Sequence, residues 1–231
     1  MTGIAPRTSA SPRSRMALHL AWAALWLLLG IASVEFLLAA YGKYRHLDSA
    51  AYGMFMTRRG WLWMHLAGGL TTVLLGPVQF FTQWRHRYPR AHRLVGRLYL
   101  SGMLVAATGA VGLIASSPAP FAIRLAFSAT ALAWLTSALT GLVAIRRGAV
   151  ERHRRWMVRH YAVTLAPILF RLSLPLAIAG GLAPSPALIA TLLWCSWVVP
   201  LLACETVRRL AGLWRATRVP PPGAVPLAGA R

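Results

Sequence analysis

The sequence predicts an all-α, polytopic membrane protein with six transmembrane helices, and three observations carry that prediction. Of 231 residues, 57% are hydrophobic and only 13% charged, too few charges to cover a soluble surface of this size. Six stretches are long and apolar enough to cross the roughly 30 Å hydrocarbon core as helices, the one open structure that satisfies its own backbone there. The cations gather at the ends of these stretches rather than along one polar face. The formal net charge of +21 therefore speaks for membrane topology and against nucleic acid.

In chain order the expected spans are Met16–Ala40, Trp61–Gln83, Leu94–Ala115, Phe121–Ile145, Trp156–Gly180 and Pro186–Val207. The first follows Arg13 and Arg15, but its apolar part is too long for a cleavable signal core, so it is expected to be a retained span. The connectors 116–120 and 180–186 are uncharged turns, and 84–93 and 146–155 are short and strongly basic. Pro77, Pro167 and Pro175 are candidate break points within spans. Residues 1–15 and 208–231 read as disordered cytoplasmic ends around a transmembrane domain at 16–207.

Charge sets the orientation. With the N-terminus inside, the internal segments carry three, five, six and five arginines in order, whereas four cations lie outside, all in the first outer loop. Both termini are expected in the cytoplasm of a bacterial inner membrane. Lys43 is the one lysine beside 24 arginines, a bias read as GC-rich bacterial coding. Cys195 and Cys204 lie nine positions apart on one expected helix, about 13 Å along its axis, too far for a disulfide.

Two stretches echo one another. "HRLVGRLY" (92–99) and "HRRWMVRHY" (153–161) both read His-Arg, a gap, then Arg-x-Tyr, and each follows a basic connector. Spans 2–3 and 4–5 are thus expected as two helical hairpins of one design, forming a central four-helix bundle from spans 2–5.

Ionisable groups inside a membrane are costly and normally face protein or a water-filled cavity. His153, Met157, His160, Thr164, Pro167 and Arg171 recur at steps of three and four, as do His65, Gly69, Thr72, Gly76 and Gln79. Each set predicts one helix face turned to a polar bundle interior. An outer layer is expected to hold Glu35, His65, Arg124 and Arg171, with Glu35 pairing Arg171 or Arg124. An inner layer is expected to hold His19, Gln79, His92, Arg93, Arg97, His153 and His160. Within it, His92, His153 and His160 are candidate ligands for a b-type haem, with Arg93 and Arg97 toward its propionates. His92 and His153 form the best pair, because the echo places them equivalently.

The stretches "MHLAGGLTTVLLGPVQF" (64–80), "RHRYPRAHRLVGRLYL" (85–100) and "HRRWMVRHYAVTLAPILFRLSLP" (153–175) resemble a family of bacterial membrane proteins, domain of unknown function 2306. "LAWLTSALTGLVAIRRG" (132–148) is a weaker match. The resemblance implies attention to His65, Gln79, His92, Arg93, Gly96, Arg97, His153, Arg154 or Arg155, Trp156, Arg159 and Arg171. It also implies a serine where His160 stands, which favours His153 as ligand. It implies no reaction.

Three functions fit these residues. The first is a haem- or quinone-linked redox protein using the inner His/Arg site. The second is a carrier or receptor for an anionic small molecule or lipid headgroup, drawing on the arginines at 85–97 and 152–159. The third is a structural or assembly partner in the bilayer without a ligand. Hydrolysis is unsupported, since no nucleophile–base pair, zinc-protease motif, phosphate loop or paired carboxylates appear.

Overall fold

The computed structural model describes residues 12–46, 48–83 and 88–216, and the chain forms two compact units, 1–56 and 57–231. All regular structure among the described residues is helical. Six helical stretches are long and apolar enough to span a membrane.

The first unit contains α1 (Pro12–Tyr44) and α2 (Ser49–Tyr52). Around α1, Leu20, Leu27, Leu28, Ile31 and Leu38 are all exposed within this unit, so the helix is apolar on every side. Asp48 caps α2, its Oδ1 accepting from the Ala50 N–H at 3.0 Å. Tyr52 is buried, donates its hydroxyl to the Tyr44 carbonyl at 3.0 Å and meets the Tyr44 ring edge to face. Within this unit Glu35 is exposed on α1. A helix apolar on every side has no stripe to fix which way its one acid points.

A 3-10 turn, Gly53–Arg58, leads into the second unit. There α3 (Arg59–Gln83) and α4 (Pro89–Ala115) pair along their length, and α5 (Phe121–Arg146) pairs with α6 (Val150–Thr164). These are two hairpins, and they meet mainly through side chains. α7 (Ala166–Ala179) continues the path of α6, and α8 (Pro186–Ala216) covers α5, α6 and α7. Ile123, Ala126, Ala190 and Leu193 form the buried apolar contact between α5 and α8.

Glycine decides the closeness of the first hairpin. A Cβ at Gly68 would collide with the Gly102 carbonyl and Ala106 backbone, and one at Gly109 with the His65 and Trp61 backbones. Such backbone-on-backbone approach is how membrane helices gain dispersion contact without a hydrophobic driving force. At the end of α5 the chain turns through Gly148 at φ 72°, with Ala149 N–H bonded back to the Ala144 carbonyl at 2.9 Å. That is a Schellman cap, and its positive φ is the reason for the glycine.

Arg58 is only 8% exposed and donates from Nη1 to the Leu113 carbonyl at 3.1 Å. The last turn of α4 has carbonyls without helical donors, and a cation there satisfies one and suits the helix dipole.

Several boundaries differ from expectation, and α1 runs four residues beyond Met16–Ala40 at each end. α4 and α6 begin five and six residues before the apolar runs at Leu94 and Trp156, because arginine and histidine leave an apolar stretch without ending a helix. α8 runs on to Ala216, past the expected boundary at 207, and residues 217–231 lie outside the described ones. The fifth span is broken at Leu165, while α3 runs through Pro77 and α7 through Pro175. Pro167 lies in the first turn of α7, where its missing N–H is harmless.

Candidate functional site

The helix starts of α4 and α6 lie at the arginine-rich end of the second unit, and each carries a histidine in its first turns. His92 on α4 has its Nδ1 3.2 Å from Thr82 Oγ1 on α3. Thr82 donates its own hydroxyl to the Gln79 carbonyl, so its oxygen accepts and His92 carries its proton on Nδ1. Gln79 in turn donates from Nε2 to the His92 carbonyl at 3.0 Å. Gly96 leaves just enough room for that amide, since a Cβ there would stand 3.1 Å from Nε2.

His153 on α6 repeats this tautomer with different partners. Its Nδ1 lies 2.8 Å from the Gly141 carbonyl on α5, and a carbonyl can only accept, so Nδ1 donates. On both rings Nε2 then holds the lone pair. The two imidazoles are near enough for their charges to interact. Arg93 and Arg97 are exposed on α4 beside them. The sequence expects His92, His153 and Gln79 at one level, and among them Gln79 is bonded directly to His92.

Two turns further along the same helices, about 10 Å away, lies a second polar layer. Tyr99 is seven residues beyond His92, and His160 seven beyond His153. His160 is wholly buried, and both ring nitrogens are engaged. Nδ1 donates to the Trp134 carbonyl at 3.1 Å, with Ser137 Oγ at 3.2 Å, and Nε2 lies 2.7 Å from the Tyr99 hydroxyl. With Nδ1 protonated, Nε2 accepts and Tyr99 donates. Thr164 Oγ1 accepts from Trp134 Nε1 at 2.8 Å, donates to the His160 carbonyl at 3.0 Å, and lies 3.1 Å from the Tyr99 oxygen. The Trp134 ring stacks on the imidazole and the Tyr99 ring meets it edge-on.

This network ties α4, α5 and α6 together with every His160 position used. As a ligand, His160 is therefore corrected: its Nε2 lone pair already has a donor. Thr164 does lie in the interior, as does Thr72, 1% exposed with its hydroxyl on the Gly69 carbonyl. His65 sits half-buried nearer the other end, Nδ1 3.0 Å from the Ala106 carbonyl.

Arg171 is exposed on α7, as is Pro167, and this too corrects the expected interior position. The stripe His153, Met157, His160, Thr164 faces inward only to the break at Leu165. Beyond it Ala166 and Ile168 are buried, and the burial stops short of Arg171. Arg124 is exposed on α5. His19 belongs to α1, its side chain outside the described residues.

Several contributors escaped the sequence reading. Tyr99, Trp134 and Ser137 are uncharged, so nothing about their placement looked costly; the seven-residue step from His92 to Tyr99 was the available signal. Tyr161, the counterpart of Tyr99 in the echo, packs instead against Gly76 and the Phe80 ring. Glu205 was also missed as a partner: it binds Arg159 at 2.8 Å and receives Arg208 and Arg209 from its own helix. Among the described residues no three His, Cys, Asp or Glu side chains converge as a metal cluster.

The family described as predicted membrane protein, DUF2306, matches residues 62–207. The chain belongs to that family, and the match contains both hairpins and nearly all the apolar part of α8. No curated protein and no solved structure matches it.

Proposed function

We propose that this DUF2306 member is a haem-linked redox protein of the bacterial inner membrane, its arginine-rich end in the cytoplasm and a b-type haem held between His92 and His153. One observation carries this reading: two neighbouring histidines on different helices share a tautomer that leaves Nε2 bearing its lone pair. A metal-bound histidine needs that arrangement, because its other ring N–H is anchored by a protein acceptor that fixes the ring's orientation. Thr82 and the Gly141 carbonyl are those acceptors. Arg93 and Arg97 supply charge of the right sign for two propionates. Haem would supply one-electron chemistry, and a quinone in the surrounding bilayer is the electron partner this location favours.

The excess of cations at the same end favours a second reading, an anion-binding carrier or receptor. The two readings separate on one measurement. Protein purified after haem-replete expression should show Soret and α bands in a reduced-minus-oxidised spectrum, and those bands should vanish in His92→Ala and His153→Ala. No bands in the unsubstituted protein would overturn the haem reading.

A further inference from the structure

We propose that Arg159, Arg208 and Arg209, gathered by Glu205 where α6 meets α8, bind the phosphate of an anionic phospholipid headgroup. This inference does not depend on the haem reading, since none of these residues lies on the faces that carry His92 and His153.

The stoichiometry is the first argument. Arg159 Nη2 donates to Glu205 Oε2 at 2.8 Å, Arg208 Nε to the same oxygen at 3.1 Å, and Arg209 Nε to Oε1 at 3.2 Å. Arg208 Nη2 also donates to Oε1. A carboxylate offers about four acceptor positions and each guanidinium five donors. One acid is therefore saturated by three cations that keep most of their donors, and the cluster carries two net positive charges. Guanidinium pairs also match the oxygens of a phosphate in a bidentate way that lysine does not.

Depth is the second argument. Residues 186–204 hold no charged side chain, and nineteen helical residues cover about 28 Å, close to the full hydrocarbon thickness. Glu205 is the next residue, so the cluster stands at the level where acyl chains give way to headgroups. Arg159 lies over the Trp156 ring, 4.8 Å from its centroid, an aromatic of the kind enriched at that interface.

The apolar collar argues for a lipid over a soluble phosphate. Val199 and Leu202 precede the cluster on α8, Val207, Leu210 and Leu213 accompany and follow it, and all are exposed. A headgroup on the arginines would lay its chains back along Val199 and Leu202, toward the hydrocarbon core. Exposure rises from 28% at Arg159 to 46% at Arg208 and 75% at Arg209, so the cations are open to a ligand.

The test measures lipid retention by native mass spectrometry of the full chain, released from vesicles of equal phosphatidylglycerol and phosphatidylcholine. Phosphatidylglycerol should be retained preferentially, and the preference should fall by about fivefold for each arginine removed in Arg208→Ala/Arg209→Ala. Arg209→Gln, at the most exposed position, should show a smaller fall of the same sign and guards against a misfolded double variant. Equal retention of both lipids, or a preference unchanged in Arg209→Gln and in the double variant, would overturn the proposal. So would loss of the preference to millimolar inorganic phosphate, which would mark a site for the soluble anion instead.

Discussion

Two polar layers sit on the same faces of α4 and α6, two helical turns apart, and they have opposite chemistry. Around His160 every donor and acceptor finds a protein partner, so the layer is closed. Around His92 and His153 each Nδ1 is anchored while Nε2 keeps its lone pair, the feature on which the proposed haem site rests. On α6 both layers are built on a histidine, whereas on α4 the histidine of one is a tyrosine in the other. What distinguishes a fastener from a ligand is whether the ring's second nitrogen is already satisfied.

The comparison can be broken most forcefully at His160. His160→Ala should remove the acceptor of Tyr99, the donor to Trp134 and a fully buried ring, costing roughly 3–5 kcal/mol. Thermal unfolding in detergent and membrane accumulation would both register this loss. An unchanged melting temperature would show that the closed layer fastens nothing.

Tyr99→Phe should cost about 1–3 kcal/mol, the penalty for leaving the buried Nε2 without a donor. Its effect and that of His160→Ala should be strongly non-additive in a double-mutant cycle, because one bond joins them.

His92→Ala and His153→Ala sharpen the contrast from the other side. Each should lower stability by about 1 kcal/mol or less while abolishing the proposed haem bands. A stability loss as large as that of His160→Ala would make their layer architectural as well. Arg93→Ala should change stability least, by under about 0.5 kcal/mol, and weaken haem retention on dilution without removing the bands.

Much of the fold was legible because hydropathy is a local property: all six spans and the two hairpins follow from runs that a window can detect. The helix starts at Pro89 and Val150 were less legible, since a basic first turn looks like connector. Pro167 signalled a break, but residue spacing alone does not say how far along a helix its inner face stays covered, and Arg171 is exposed. The layer of His92 and His153 was visible through the repeated His-Arg pattern. The closed layer was half visible: spacing put His160 on the inner face, but its saturation depends on the Trp134 carbonyl and the Tyr99 hydroxyl, which reach it only in three dimensions. Glu205 illustrates the same limit, with its cross-helix partner Arg159 lying 46 positions away.

In the first hairpin, Gly68 and Gly109 set main chain against main chain. The spacing of α3 and α4 is thus dictated by peptide units, which have no rotamers to exchange. That half of the bundle acts as a rigid strut. Any breathing of the bundle must then be taken up at the junction of the hairpins, where side chains form the join.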